Sequence, residues 1–501
     1  LTLPVDGAIS VLVPYSDTIE HECGVAAVHA REPINIPEQL FFTLFAQQHR
    51  GQESAGIAYH KDGHTVVYKD LGQVSAVLAR YLERERLCRV GIGHVRYSTH
   101  GGNKLENAQP ILVNCNKGEI ALAHNGNIAN MPSIKRRLFA EGSIFQTSSD
   151  SELLLHLLSR SRAPSFLEAL HEILPGVEGA YSMVLTHEDT LVAARDPSGF
   201  RPLYVGERDG VTVVASETCA LDILKISSYR ELEPGEILVV DHLGSRSERI
   251  QKREPEARCV FELIYFARPD SYVFGHSVHT ARKSMGQALA AADDAEVDIV
   301  VPIPDSGNSA ALGYAEQSGA PLEFGLTRNH YAGRSFIMPT TAERDLAVRM
   351  KLHPVREVIN NRRVALVDDS LVRGTTARLL VRLVREAGAR EVHLRLCSPE
   401  IRWPCFFGID IPTRKELISN AMSPDEIARY IYADSVRFLA IEEMQSCLNT
   451  PGAYCYACFS GTYPIEVPLT AEERAVGRER DLREMRRAMD IAAPGTTEQD
   501  L

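Results

Sequence analysis

The pattern of apolar positions changes character partway along the chain. In the first part, Gly24-Val25-Ala26-Ala27-Val28 predicts a strand opened by Cys23. From about 190 to 245, short apolar runs alternate with turns, as in a sheet layer. In the second part the apolar runs are continuous. Ile299-Val300-Val301-Pro302-Ile303 and Val364-Ala365-Leu366-Val367 predict strands buried on both faces. Each runs into a glycine turn, and after the second turn residues 377–386 predict an amphipathic helix. Strands alternating with helices signal a parallel sheet. The polar stretch 245–257 predicts a linker. Residues 1–22 are polar and turn-prone, with Pro4, Gly7 and Pro14. After Pro468 the pattern predicts a highly charged helix, 471 to about 489, then a polar tail with the composition of disorder.

Composition sharpens this picture. The 501 residues suffice for two or more domains with full cores, and 44% hydrophobic with 24% charged residues is globular usage. The formal charge, 54 − 66 = −12, argues against a general nucleic-acid surface, though it leaves room for a local basic pocket. No run approaches the roughly 18 apolar residues of a membrane span, and no basic-then-apolar secretory signal opens the sequence, so the expectation is a cytoplasmic protein with no membrane partner. The first residue is Leu1, so an initiator or short leader is expected to be missing from the sequence. Ten cysteines are many for that setting and point to chemical work for some of them.

The two continuous strands end in reactive-looking turns. Val367 is followed by Asp368-Asp369-Ser370-Leu371-Val372-Arg373-Gly374-Thr375-Thr376. Adjacent carboxylates suit the paired hydroxyls of a ribose, and backbone N–H groups at the helix start suit a phosphate. Gly374 lets the chain approach that phosphate. The absence of Gly-Lys-Ser/Thr rules out a Walker loop. This stretch resembles the phosphoribosyl pyrophosphate signature of type I phosphoribosyltransferases. The resemblance assigns the ribose hydroxyls to Asp368 and Asp369 and the 5′-phosphate to Arg373, Gly374, Thr375 and Thr376, beside Ser370. It assigns the diphosphate to Asp305, Ser306 and Gly307, after the first strand, and implies Mg²⁺ at Ser306, Asp368 and Asp369. Residues 325–336, continuing through polar sequence to Arg349 and Lys351, resemble the family's flexible catalytic loop. Here Arg328-Asn329-His330-Tyr331 stands where that family usually has Lys-Asn-Arg-Tyr.

In the first part, His49-Arg50-Gly51-Gln52-Glu53-Ser54 joins a helix to a strand, and Gly93-His94-Val95-Arg96-Tyr97-Ser98-Thr99-His100-Gly101 ends a strand. His124-Asn125-Gly126-Asn127-Ile128 predicts a tight turn, and Ser149 or Asp150 caps a helix expected to begin near Leu153. Together with Cys23 and the segments around Arg195-Asp196 and Ser216-Glu217, these resemble the class II glutamine amidotransferases, which are N-terminal-nucleophile hydrolases. The resemblance implies a four-layer αββα sandwich over 23–245 and a propeptide, 1–22, removed before Cys23. It makes Cys23 the nucleophile, Asn125 and Gly126 the oxyanion hole, and Arg96 and Asp150 the anchors for the glutamine carboxylate and ammonium. The transferase part would occupy 258–468, leaving the charged helix and tail, 469–501.

Cys455-Tyr456-Ala457-Cys458, Cys405 and Cys259 supply four candidate ligands. Spacing alone suits a [4Fe–4S] cluster or a structural zinc equally. The remaining Cys88, Cys115, Cys219, Cys397 and Cys447 are expected in cores. Nearly the whole chain, from Cys23 to about Pro468, resembles the iron–sulfur branch of the glutamine phosphoribosylpyrophosphate amidotransferases, which implies [4Fe–4S] at those four thiols. It further implies ammonia channelled from glutamine to phosphoribosyl pyrophosphate, a homotetramer, and inhibition by purine nucleotides. Two other readings remain: another class II amidotransferase, or a non-catalytic sensor of a phosphoribosyl ligand.

Overall fold

The computed structural model describes residues 23–82, 85–97, 104–250, 252–329, 349–411 and 413–468. The expected propeptide 1–22, positions 98–101 of the predicted strand-end motif, the loop 330–348 and the charged helix and tail 469–501 lie outside those residues.

The first part is two stacked antiparallel sheets. In the seven-stranded sheet, Gly24–Asn35 lies between Val211–Ala215 and Leu87–Arg96, and Leu87–Arg96 pairs on its other side with Ser54–Lys61. In the six-stranded sheet, Gly118–Ile128 lies between Ile111–Cys115 and Gly179–His187. Strand periodicity divides their residues between two cores. Val25, Ala27, Ala121 and Ala123 face the space between the sheets. Ala26 and Val28 face outward onto the helix Ile36–Ala46, while Ile120 and Leu122 face the helices Asp150–Arg160 and Phe166–Ile173. The result is a four-layer αββα sandwich. Apolar residues on both faces, between the sheets and beneath the helices, explain why the strands read as nearly unbroken apolar runs.

The second part is built on a four-stranded parallel sheet in the order Ile299–Pro302, Arg363–Asp368, Glu391–Leu396, Ser435–Phe438. Val300, Ala365 and Val367 pack on the helices Val278–Ala291 and Asn308–Ser318. Ile299, Val301, Val364 and Leu366 pack on Thr375–Glu386 and Pro424–Ile431. This is the type I phosphoribosyltransferase arrangement, with helices on both faces and a crevice at the carboxyl ends of the strands.

Several expectations change. The first strand begins at Gly24, one residue after Cys23. His124 to Ile128 is not a turn: it ends the strand Gly118–Ile128, with Asn125 opposite Ser182 and Gly126 opposite Tyr181. The helix expected near Leu153 begins at Asp150, and its cap is Ser149, whose Oγ accepts the Ser151 N–H at 3.3 Å. The linker expected from 245 starts later. Gly244–Arg249 is an edge strand paired with Glu236–Asp241, so the second sheet runs on to residue 249. Its polar, charged sequence is that of a protected edge rather than a tether. Among the described residues no helix is long and apolar enough to cross a membrane.

Candidate active sites

Cys23 lies at the mouth of the first strand, half-buried, with its Sγ 4.0 Å from the Tyr97 carbonyl oxygen. Arg50 Nε donates to the Cys23 carbonyl at 3.2 Å. Burial pushes the thiol up to about 12, against the lowering pull of the Arg96 guanidinium and with the Asp150 carboxylate adding to the rise. Arg96 and Asp150 therefore both stand within electrostatic reach of the sulfur, from the end of Leu87–Arg96 and the start of Asp150–Arg160. Asp150 Oδ2 accepts the Ile128 N–H at 3.0 Å, which ties that helix start to the Asn125 strand. Neighbouring Glu152 accepts Gln146 N at 2.7 Å and Thr147 N at 2.8 Å, fixing the loop ahead of the helix.

Asn125 is 1% exposed, and neither its Oδ1 nor its Nδ2 has a hydrogen-bond partner among the described residues. A buried amide left unpaired costs roughly 1–3 kcal/mol, so a ligand that pairs with it recovers that penalty. Gly126 has φ +142, and a Cβ there would lie 2.1 Å from the Ala180 carbonyl oxygen. Only glycine keeps the strand paired at this point.

The second site is the crevice above the parallel sheet. Asp305, Ser306, Asp368, Asp369, Ser370, Gly374 and Thr376 line one pocket. Gly307, Arg373 and Thr375 do not line it. Gly307 lies where a Cβ would be 2.3 Å from the Val367 carbonyl oxygen, so the turn from Asp305 to Gly307 is pressed against the end of the Asp368 strand. Arg373 is directed at Glu416, Nη2 to Oε2 2.8 Å, and Thr375 is the first residue of its helix. Burial, then the adjacent Asp369 carboxylate, push Asp368 well above the usual carboxylate range, while hydrogen bonding to Ser306 pulls it back. Asp369 is raised by burial as well. Two acids in this state favour a cation or hydroxyl donors. Asp305 pairs with Arg328 of the strand Leu326–Arg328.

The pocket's opposite wall comes from elsewhere. It includes His49 and Gln52 of the first part, residues 265–269, and Arg282. Arg282 is 3% exposed and donates to the Leu263 and Ala267 carbonyls at 2.9 and 2.8 Å. Burial lowers it to about 10, against the raising effect of Asp369. Arg282 carries no signal in the sequence, because one arginine in a helix pattern reads as a solvated face.

Four of the ten free cysteines converge. Cys259, Cys405, Cys455 and Cys458 line one cavity, otherwise walled by apolar groups such as Phe200, Phe261, Phe407 and Ile409. Cys259 and Cys455 sit opposite one another in a short parallel pairing. The Cys458 carbonyl accepts Arg402 N at 2.9 Å and Trp403 N at 3.0 Å, which brings in the Cys405 loop. Among the described residues no group of three or more His, Cys, Asp or Glu is drawn together closely enough for one metal ion. Of the five cysteines expected in cores, Cys88, Cys219 and Cys397 are buried, whereas Cys115 and Cys447 are half-buried at core margins.

A sandwich opened by a cysteine and joined to a parallel sheet with an acidic crevice at its strand ends has the architecture of a two-part enzyme, a glutamine amidotransferase half and a phosphoribosyltransferase half. The glutamine amidotransferase domain family matches residues 94–222. The chain is 46% identical over 452 residues to a chloroplastic amidophosphoribosyltransferase of Glycine max, covering 89% of this chain and 78% of that protein. It is 42% identical over 474 residues to the amidophosphoribosyltransferase of Methanocaldococcus jannaschii, covering 91% of this chain and all of that one, 100%. The solved glutamine phosphoribosylpyrophosphate amidotransferase of B. subtilis, complexed with ADP and GMP, superposes with TM-score 0.83 at 43% identity, covering 89% of this chain and 98% of that one. The chain belongs to the amidophosphoribosyltransferase family.

Proposed function

We infer that this chain converts glutamine, phosphoribosyl pyrophosphate and water to 5-phosphoribosylamine, glutamate and pyrophosphate, the committed step of purine biosynthesis. One observation carries the reading. His49 and Gln52, which wall the Asp368 and Asp369 pocket, flank Arg50, which holds the carbonyl of Cys23. One turn of chain separates the two candidate sites, the arrangement a reaction in series needs.

In the first half-reaction Cys23 Sγ attacks the glutamine amide carbon. The buried thiol is too weak an acid to ionise unaided near neutrality, so a neighbouring base is required. We assign that base to the α-amine of Cys23, freed by cleavage after Glu22, with an ordinary pKa of about 7.7–8.0. The orphaned amide of Asn125, with the Gly126 N–H, takes the tetrahedral oxyanion. Ammonia leaves, and water hydrolyses the thioester to glutamate. Arg96 takes the glutamine carboxylate and Asp150 its ammonium. In the second half-reaction ammonia attacks the anomeric carbon as pyrophosphate departs. Asp368 and Asp369 hold the ribose hydroxyls, Gly374 and Thr376 the 5′-phosphate, and Asp305 and Ser306 the diphosphate, with Gly307, Arg373 and Thr375 shaping the turns behind them.

Two carboxylates with a hydroxyl, rather than a full protein cage, suit Mg²⁺ that arrives on a polyphosphate. Ser306, Asp368 and Asp369 would hold it, and when bound it neutralises charge on the departing diphosphate. The four thiols also fit a cofactor. Four thiols lining one otherwise apolar cavity are a ligand set for a [4Fe–4S] cluster or a structural zinc, and the resemblance to the iron–sulfur branch favours the cluster. Bound by Cys259, Cys405, Cys455 and Cys458, the cluster would tie the C-terminal segment to the start of the transferase half. Purine nucleotides are the proposed inhibitors, a homotetramer the proposed assembly and the cytoplasm the proposed setting; ADP and GMP in the B. subtilis relative support the first.

The test is Cys23→Ser. Glutamine-dependent synthesis should vanish while free ammonia still supports it; loss of both activities would count against two separate sites.

A further inference from the structure

Strand periodicity places a histidine beside Asn125. Val90 and Ile92 face the space between the two sheets, so His94 and Arg96, further along the same strand, face it too. The same count from Ala58 puts Ser54 and Gly56 in that layer, and from Ala121 and Ala123 it puts Asn125 there. His94 pairs with Gly56 and Arg96 with Ser54, which makes His94 and Ser54 diagonal neighbours on one face.

His94 is fully buried and reaches across to the second sheet. Its Nε2 donates to the His124 carbonyl at 3.1 Å, while the side-chain Oε1 of Gln109 accepts the His124 N–H at 2.7 Å. The neighbouring strand starts only at Ile111, opposite Leu122, so these two side chains stand in for its ladder one step further on. Gly56 leaves them room, since a Cβ there would lie 2.3 Å from the Gln109 carbonyl oxygen. The peptide that leads into Asn125 is thereby held from the first sheet.

Donation to a carbonyl fixes the tautomer: Nε2 carries the proton, and Nδ1 is a bare acceptor. Burial, with help from the Arg96 guanidinium, pushes the imidazole down to about 3, so it is neutral near pH 7. Among the described residues His94 Nδ1 has no hydrogen-bond partner, and neither have Ser54 Oγ and the Asn125 amide. Buried polar atoms without partners are costly, and where about two to four of them converge a buried water meets them. The chemistry of these atoms matches one water. His94 Nδ1 and Asn125 Oδ1 accept its two protons, and the Ser54 hydroxyl donates to its oxygen. With Oδ1 engaged in this way, the NH₂ end of the amide is the one left for an oxyanion.

We infer that a water buried between the sheets, bound by His94 Nδ1, Asn125 Oδ1 and Ser54 Oγ, sets which way the Asn125 amide points, and that His94 is thereby a positioning residue for the oxyanion hole. This rests on the glutamine half-reaction proposed above.

The experiment uses the full-length enzyme. His94→Gln keeps a donor for the His124 carbonyl but has no acceptor at the Nδ1 position, and Ser54→Ala removes the hydroxyl. Each should lower kcat for glutamine cleavage by about 2- to 10-fold, the worth of one neutral hydrogen bond. KM for glutamine should not change, because neither side chain is a glutamine anchor, and ammonia-dependent synthesis should persist. Added to Asn125→Ala, either substitution should cost nothing further, since the group it orients is gone. A crystal structure of the unsubstituted enzyme should show the water within hydrogen-bonding distance of all three atoms. Undiminished glutamine cleavage in Asn125→Ala overturns the oxyanion assignment and this proposal together. With Asn125→Ala impaired, three results overturn this proposal alone: full kcat in His94→Gln and Ser54→Ala, losses that add in full to that of Asn125→Ala, or Asn125 Nδ2 bonded directly to His94 in the crystal. If His94→Gln does not fold, Ser54→Ala decides.

Discussion

Asn127 donates its side-chain Nδ2 to the Phe406 carbonyl at 2.9 Å, which joins the strand carrying Asn125 and Gly126 to the loop carrying Cys405. The two residues are 279 positions apart in sequence. The four-thiol cavity is therefore built against the strand proposed to carry the oxyanion hole and not in a remote appendage. Anaerobically purified protein should show the broad visible absorption of an iron–sulfur cluster, and Cys405→Ala should bleach it. A colourless protein with stoichiometric zinc would refute the iron assignment.

Removing the orphaned amide tests the oxyanion role directly. Asn125→Ala should lower kcat for glutamine cleavage by about 10²–10³, as loss of one such donor does elsewhere. Ammonia-dependent synthesis should be unaffected. Steady-state assays with each nitrogen donor separate the two.

Asp150→Asn changes charge without changing shape. Its oxygen can still accept the Ile128 N–H, so the helix start should hold. KM for glutamine should rise by about 10- to 100-fold, the loss of one charge-assisted hydrogen bond of roughly 1.5–3 kcal/mol. An unchanged KM would remove Asp150 from the ammonium site.

Gly307→Ala places a methyl where a Cβ would be 2.3 Å from the Val367 carbonyl oxygen. The diphosphate turn must then lift away from the Asp368 strand. Both glutamine- and ammonia-dependent synthesis should fall by about 10²-fold, the effect of a small misplacement at a reacting centre. Titration calorimetry should show weakened phosphoribosyl pyrophosphate binding, with unstimulated glutamate release retained.

Glu217 predicts an acid-side stability effect. Burial alone would raise its carboxyl, but His49 and Arg50 outweigh burial and hold it below the usual range. A carboxylate with a depressed folded pKa stabilises fully above its unfolded value, about 4.3, and progressively less as pH falls below that toward the folded value. Glu217→Gln should therefore be less stable near pH 7, and the gap in melting temperature should narrow below about pH 4. A gap that stays constant from pH 7 to about 3 would show that the charge is not what stabilises this position.

The sequence made the chemistry legible where chemistry needs particular side chains in tandem. Asp368-Asp369 followed by Gly374 marks a strand end and a phosphate turn without any structure. It misled where one local signal serves two geometries. Asn125-Gly126 is a hairpin signal, yet the structure uses it to keep a strand paired while leaving an amide free. The charged run 244–249 reads as a tether because an edge strand needs few apolar residues. Arg282 and Glu262 were invisible because their burial depends on partners far along the chain. Glu262 meets Arg50 across 212 positions, and no periodicity encodes that contact.

Gly408 faces Gly126. A Cβ on Gly408 would lie 3.2 Å from the Gly126 Cα, and both residues hold backbone angles that other amino acids rarely adopt. Two bare backbones thus touch where the halves meet, hemmed in by Arg201 and His124. Fusion or exchange of one half with a distant relative's should fail at this point first. The halves must be inherited, swapped or redesigned as a matched set.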